Sequence, residues 1–424
     1  MDKKEKHQEE AEDIVIKEEE GQPVVQEVSG EVSFSKDSYA MKVVKQTIID
    51  AVERKVSDVF IEPLEDALRI RYRVDGLLCK VNSFPPEYSS SVVSCVKVLS
   101  GLDIAEHRFP QDGRFRMMVA GRAVDFRVSI LPANLGEKVV LRVLDKSNAS
   151  LNLDELGFVE NDIEILKRNL QKPYGMILVC GPTGSGKTTT LYSGLKFIDS
   201  IEANIVTVED PIEFQLGGIN QVAVNENLGL TFAAVLRSIL RQDPDIIMIG
   251  EIRDFETADI AVKASLTGHL VLSTLHTTTA TAAVVRFINM GIEPFLVASS
   301  CLVTASQALL RVLCERCKKE SSPPESLIED FRSFNLPLPQ DVKYYTPQGC
   351  RFCNNTGFLG RVGIIEVMEL DSELREMLIK KETESVLRNY AVKRGMKTLR
   401  EKALHKVAEG LLTMEEAYRV TMGI

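Results

Sequence analysis

No stretch of this chain approaches the roughly 18 consecutive apolar residues of a membrane-spanning helix. The opening, MDKKEKHQEEAED, lacks the apolar core of a secretory leader. A cytoplasmic protein is the expectation. Tryptophan is absent, there are only five histidines, and no cluster interleaves aromatic with basic residues. A stacking platform for single-stranded nucleic acid is therefore not indicated. Excess positive charge is lacking too. The net charge is −10, and residues 1–31 hold eleven Asp/Glu against four Lys. Most of the imbalance thus sits in one acidic stretch, expected to be a disordered tail. The remaining body is near neutral, which also argues against nucleic-acid binding through bulk charge.

What is present has globular composition, 44% hydrophobic and 26% charged over 424 residues, a length that suits about two to four domains. Residues 32–148 read as a small α+β module. A helix is expected over Ile48 to Val56 and another over Ser89 to Leu99. Strands are expected at 59–61, 67–74, 114–119, 123–130 and 138–144, with Asp75-Gly76 as a turn. Residues 149–170 read as a linker with a helix. From 171 to 424, apolar strands at Met176 to Cys180, Asn204 to Val208, Asp245 to Ile249 and Leu270 to Ser273 alternate with helices, the pattern of a mostly parallel α/β sheet. Residues 370–424 read as a helical cap.

Eight cysteines in a cytosolic chain do not suggest a disulfide framework. Cys314-Glu-Arg-Cys317 and Cys350-Arg-Phe-Cys353 are instead two C-x-x-C knuckles, in a module spanning 311–361. Such a pair supplies four thiolates for a closed, tetrahedral, structural zinc site. Cys79, Cys95, Cys180 and Cys301 lie among apolar neighbours and read as core residues.

The most specific signal is GPTGSGKT after an apolar strand. In that context Gly181, Pro182, Thr183, Gly184, Ser185 and Gly186 form a loop whose backbone N–H groups cradle the phosphates of ATP. Lys187 reaches the β and γ phosphates, Thr188 ligates Mg²⁺, and the helix continuing through Thr189 points its positive end at the anion. Two acidic segments follow at strand ends. In IMIGEIRD, Glu251 is the candidate for orienting the attacking water; in TVEDPIE, Glu209 is placed near the Mg²⁺ and its waters.

GPTGSGKT, TVEDPIE, IMIGEIRD and TGHLVLSTLH, in this order, resemble the secretion ATPase superfamily of type II secretion and type IV pilus machines. The resemblance reaches upstream through SDVFIEP, RIRYRVDG, AEHRFPQDGRF, VDFRVSILP and GEKVVLRVLD, and the paired knuckles are similar to those of its assembly and export branch. It implies a PAS-like N-terminal domain, a RecA-like P-loop ATPase domain with a zinc-binding and helical C-terminal region, and a homohexamer. The implied setting is the cytoplasmic face of the inner membrane, reached through a platform protein and its cytoplasmic adaptor. By motif, His269 and His276 are histidine-box residues, Arg127 and Arg142 reach nucleotide phosphates, and Arg237 and Arg241 lie near that pocket. Two departures stand out: Phe60 occupies a position where relatives usually have His, and only the acidic stretch precedes Val32, where full-size relatives carry a further domain. The function implied is a Mg²⁺-ATPase driving secretion, pilus or competence-pilus assembly. Two alternatives are a RecA-like motor on nucleic acid, which the near-neutral body disfavours, and a non-hydrolysing scaffold, which Glu251 disfavours.

Overall fold

The structure is a computed structural model, and it describes residues 12–19, 22–29, 36–145, 152–334, 336–337 and 342–422. It divides into two compact units, residues 1–149 and 150–424. No described helix is long and apolar enough to cross a membrane.

The first unit is one eight-stranded sheet with two helices. Its elements are β1 (Glu12–Glu19), β2 (Gln22–Ser29), α1 (Lys36–Glu53), β3 (Asp58–Pro63), β4 (Leu68–Val74), β5 (Leu77–Phe84), α2 (Ser89–Leu99), β6 (Gln111–Val119), β7 (Arg122–Ala133) and β8 (Gly136–Leu144). The sheet order is β1-β2-β6-β7-β8-β3-β4-β5, antiparallel except where β2 meets β6. Alternation drives this arrangement. Along β6 and β7, Phe115, Met117, Val124, Phe126 and Val128 point inward, against Val44, Ile48, Val93 and Val96 of the helices. The residues between them stay wet.

Residues 1–31 do not follow the expectation of a disordered tail throughout. β1 and β2 pair antiparallel, Glu12 with Ser29 through Glu19 with Gln22. The acidic balance of the stretch masks the β-branched runs Ile14-Val15-Ile16 and Val24-Val25, which favour a hairpin; residues 1–11 lie outside the described residues. The structure adds a further strand, β5, in which Leu77–Phe84 follows the Asp75-Gly76 turn directly and pairs with β4.

The second unit contains α3 (Glu160–Leu170), β9 (Gly175–Cys180), α4 (Lys187–Ile198), β10 (Ile205–Glu209), β11 (Asn220–Ala223), α5 (Phe232–Ile239), β12 (Ile246–Ile249), α6 (Phe255–Leu266), β13 (Leu270–Leu275), α7 (Ala280–Asn289), α8 (Pro294–Ser300) and β14 (Cys301–Leu313). Beyond these come β15 (Lys319–Ser321), α9 (Glu325–Ser333), β16 (Tyr344–Thr346), β17 (Phe358–Glu369), α10 (Ser372–Ile379), α11 (Glu384–Lys393), α12 (Leu399–Ala408) and α13 (Met414–Thr421). The main sheet runs β11-β10-β12-β13-β9-β14-β17, parallel up to β14, with β17 returning antiparallel at the edge.

Helices cover both faces, so β9, β10, β12 and β13 are buried along their whole length. The stretch 149–170 differs from the expected linker. Leu153, Phe158, Ile163, Leu166 and Leu170 are buried in a core shared with Ile177, Val179 and Leu272. Ile163, Leu166 and Leu170 have the spacing of an apolar face on α3, and with Leu153 and Phe158 before the helix they make residues 152–170 an integral layer of this unit.

Candidate functional site

β9 ends at Cys180, and the loop leaves from the C-terminal edge of the parallel sheet. Gly186 has φ +89° as the residue before α4, and a Cβ there would lie 2.8 Å from Gln307 Nε2. At Gly181 (φ +146°) a Cβ would collide with the Gln307 carbonyl oxygen and the Ser185 side chain. Both positions require glycine. Pro182, Thr183 and Gly184 form the exposed tip, and Thr188 and Thr189 are half-buried in the first turn of α4.

Gln307, on β14 and nearly fully buried, braces the loop. Its Nε2 donates to the Ser185 carbonyl (2.8 Å) and its Oε1 accepts from Thr190 Oγ1 (2.7 Å). Sequence reading missed this residue. The signal was a glutamine flanked by the apolar runs of β14, since a buried amide must find partners.

Lys187 is 8% exposed, and its Nζ donates to the carbonyls of Gly181 (2.8 Å) and Pro182 (3.1 Å). Burial pulls its pKa below the usual lysine value, against the opposing pull of Cys180 and Glu251. A buried ammonium resting on two carbonyls gains by exchanging them for anionic oxygens. Ser185 Oγ is buried with no hydrogen-bond partner. The loop residues therefore fit a phosphate: a cation, a spare hydroxyl and glycines that admit close approach.

Glu251 follows β12, whose end is tied to its neighbours by Gly250 N–H to the Val208 carbonyl (2.8 Å) and Thr274 Oγ1 to the Gly250 carbonyl (2.7 Å). Its carboxylate accepts from Arg253 Nη2, and from His276 Nε2 at 3.0 Å. Burial alone would raise its pKa; Arg253 and His276 outweigh that and hold the carboxyl below its ordinary value. Glu251 is thus kept ionised, and its charge acts on the Lys187 ammonium. Arg253 was not singled out from sequence, although it lies two residues beyond.

Glu209 closes β10 and is 2% exposed. Its oxygens accept from Tyr192 OH, Thr207 Oγ1 (2.6 Å) and Gln221 Nε2 (3.0 Å). Both oxygens are therefore engaged within the fold.

The two histidines separate. His276 follows the C-terminal end of β13, at the loop's edge of the sheet, whereas His269 precedes its N-terminal end. His269 bonds there to the Ala264 carbonyl through Nδ1 (3.0 Å). The six residues of β13 between them span roughly 20 Å at strand rise. A strand carries its two ends to opposite edges of the sheet, so within one chain His269 stands at the edge away from the loop.

Arg237 pairs with Glu256, and Arg241 bonds to the Arg237 carbonyl (2.8 Å) and Ser238 Oγ (3.1 Å). None of these bonds reaches the loop. In the first unit, Arg127 on β7 and Arg142 on β8 are directly opposed, and Arg142 Nε donates to Asp58 Oδ1 at 3.1 Å.

The four knuckle cysteines converge with their sulfurs within 4.8 Å of one another. Sγ separations are 3.9 Å for Cys314–Cys350, 3.8 Å for Cys317–Cys353 and 3.7 Å for Cys350–Cys353. A tetrahedral thiolate site with bonds of roughly 2.3 Å has edges of about 3.8 Å, so the geometry fits a metal ion. Burial would raise the Cys353 pKa, but the N–H groups of Cys350 and Gly357 (each 3.2 Å from its sulfur) help pull it down to about 7. Among the other cysteines, Cys180 and Cys301 are buried, whereas Cys79 and Cys95 are half-buried.

The family described as Type II/IV secretion system protein matches residues 34–419. The type IV pilus assembly ATPase PilB of Myxococcus xanthus is 47% identical over 385 residues, 90% of this chain and 67% of that protein. The type II secretion system ATPase E of Vibrio cholerae is 47% identical over 385 residues, 91% of this chain and 76% of that protein. Among solved structures, the Legionella pneumophila ATPase DotB has a TM-score of 0.66 at 19% identity, covering 93% of this chain and 98% of that one. The pilus retraction motor PilT with bound ADP has a TM-score of 0.60 at 23% identity, covering 90% and 96%. At such identities the likeness is one of α/β fold. The family match spans most of the chain and the relatives approach half identity, so the chain belongs to the type II/IV secretion system proteins.

Proposed function

We propose that this chain is an ATP-hydrolysing motor subunit that powers type II secretion or type IV pilus assembly. One observation carries the reading: an ionised Glu251, held by His276 and Arg253, lies at the same edge of the sheet as a formed phosphate loop and acts on the charge of its Lys187. Lys187 exchanges its bonds to the Gly181 and Pro182 carbonyls for phosphate oxygens. Thr188 is the residue that would hold Mg²⁺, which when bound neutralises phosphate charge. Glu251 orients the attacking water and accepts its proton, while His276 and Arg253 keep the carboxylate aimed. Glu209 reaches the Mg²⁺ waters only by giving up a bond to Thr207, Tyr192 or Gln221. Arg127 and Arg142 add charge to the departing phosphate, and Arg237 and Arg241 contribute near the pocket after release of Glu256.

The same reading includes a homohexamer of RecA-like ATPase domains, a PAS-like fold for the first unit, and structural zinc at Cys314, Cys317, Cys350 and Cys353. It also includes recruitment to the inner membrane by a platform protein and adaptor, with no nucleic-acid substrate. Phosphate release by the purified full chain, with Mg²⁺ and ATP, tests it against Glu251→Gln. Equal turnover by the two proteins would remove Glu251 from the reaction, and stimulation of turnover by single-stranded DNA would instead favour a nucleic-acid motor.

A further inference from the structure

A row of polar side chains crosses the second unit's sheet at the edge where the phosphate loop leaves it. Cys180 on β9 is in register with Ser306 on β14, and Ser306 with Glu366 on β17. Residues in register on adjacent strands share a face. That face is the one α7 covers, since Ala280, Ala283 and Val284 share a core with Met176, Leu178 and Met368. Gln307, one residue further along β14, faces the other side and holds Ser185.

All three side chains of the row bond to the short segment that leads from His276 into α7. Ser306 Oγ donates to the Thr278 carbonyl (2.7 Å), Cys180 Sγ donates to the Thr279 carbonyl (3.3 Å), and Glu366 Oε1 accepts from the Ala280 N–H (3.0 Å). From α11, Glu384 Oε1 accepts from Thr279 Oγ1 (2.7 Å) and Thr281 Oγ1 (3.2 Å). Residues 278–281 are thus fastened one after another, beginning two residues beyond the imidazole that bonds to Glu251 at 3.0 Å. His276 is itself exposed, so its aim depends on the backbone on either side, β13 before it and this fastened segment after it.

Glu366 is the member of the row whose presence most needs a reason. It is fully buried in the run Ile364-Ile365-Glu366-Val367-Met368, and its other oxygen lies 3.4 Å from Arg388 Nη2 on α11. A buried ion pair is a poor source of net stability, because desolvation offsets the attraction. What the carboxylate supplies is a fixed acceptor for a buried N–H in the first turn of α7, one of the donors that a helix leaves without an internal partner. We propose that Glu366 is a positioning residue for hydrolysis: with Ser306 and Glu384 it holds residues 278–281 so that His276 stays on Glu251. This rests on the ATPase reading above.

The test compares the full chain with Glu366→Ala, Glu366→Gln, Glu384→Ala, His276→Ala and the double variant Glu366→Ala/His276→Ala, each for kcat, KM for ATP, and Tm. Glu366→Ala should lower kcat about tenfold or more with KM changed by less than about threefold, because the phosphate loop is held separately by Gln307. Glu366→Gln, which keeps an oxygen for the Ala280 N–H, should recover part of the rate. Glu384→Ala should lower kcat in the same direction and by less; alone and combined with His276→Ala, it carries the test should Glu366→Ala not fold. The double variant should turn over within about twofold of His276→Ala alone, since a residue that acts through the imidazole then has nothing left to aim. Defects that multiply in the double variant, or a fall in kcat that tracks Tm and comes with a rise in KM, would make Glu366 structural and overturn the assignment. Undiminished turnover by His276→Ala would overturn it as well, while leaving the ATPase reading in place. No phosphate release by the unmodified chain under the same conditions would instead remove that reading, and this inference with it.

Discussion

In the second unit the strands that carry the site are closed on both faces, with Met176 to Cys180 and Ile246 to Ile249 fully buried. In the first unit each central strand alternates, with Phe115, Phe126 and Leu141 inward and Arg114, Arg127 and Arg142 outward. The difference lies in where each sheet can do chemistry. A parallel sheet covered by helices exposes only its strand ends, so the phosphate loop, Glu251 and His276 gather at one edge. An antiparallel sheet with one wet face can offer that whole face, and here it offers charge.

The sharpest way to break this comparison is to strike the strand ends. Lys187→Ala should abolish phosphate release. Glu251→Gln should still bind nucleotide yet turn over about 10²–10³-fold more slowly, since a positioned catalytic group has effects of that order. Equilibrium binding with single-turnover kinetics separates the two defects, and wild-type rates in either variant would move the chemistry off the strand ends. Striking the face should cost less. Arg127→Ala or Arg142→Ala should lower kcat about 10–100-fold with a milder loss of ATP affinity. A fragment of residues 150–424 should bind ATP and be nearly inactive. That fragment must begin before Leu153, because the buried residues 153–170 belong to the second unit's core.

A smaller effect on turnover is expected at the thiols, the first of which follows the end of β14. Cys314→Ser should reduce bound zinc from about one per chain to near zero and lower Tm by more than about 5 °C, since a lost ligand removes folding energy. Metal analysis with calorimetry checks both, and a metal-free wild-type chain of undiminished Tm would count against the site.

The smallest effect concerns acid. Glu416 is buried and accepts from Arg311 N–H (2.9 Å) and Nη2 (2.8 Å), and from Arg419 Nε (2.8 Å). Burial would raise its pKa, yet the two arginines bring it down from 4.5 to about 2. A depressed folded-state value means that the stabilisation is fully present above pH 4.5 and is lost as the pH falls towards 2. Its size is on the order of 3 kcal/mol. Glu416→Gln should flatten the fall of Tm in that window; an unchanged slope would mean that other carboxyls carry it.

Much of this was legible because the chemistry needs contiguous residues. GPTGSGKT, GEIRD and the two knuckles keep their meaning without knowledge of the fold. The braces do not. Thr304, Ser306 and Gln307 are polar and buried on β14, where they bond to the carbonyls of Ala280 (2.8 Å), Thr278 (2.7 Å) and Ser185 (2.8 Å). Hydropathy reads such residues as surface, so a thirteen-residue strand beside the loop went unseen. The separation of His269 from His276 was available from strand rise alone, but a motif spanning both ends of one strand disguised it.

β14 also sets a length. It runs from Ser306, in register with Cys180, past Gln307 to Leu313, and Cys314 is the next residue. The seven steps from Gln307 to Cys314 rise roughly 23 Å at strand spacing. From Gln307 to Arg311 the pairing with β17 is regular, so inserting or deleting one residue there would exchange the inward and outward side chains downstream, whereas a register shift already lies between Arg311 and Leu313. Between the knuckles the constraint relaxes: the chain leaves at Lys319–Ser321 and returns at Tyr344–Thr346 as a short antiparallel pair. Outside α9, whose Leu327 and Phe331 are buried in the core, added residues in that excursion incur only a slowly growing closure entropy. The gene thus has a rigid ruler beside an expandable slot: descendants can vary in size within the slot, whereas along the ruler they can change letters but not their number.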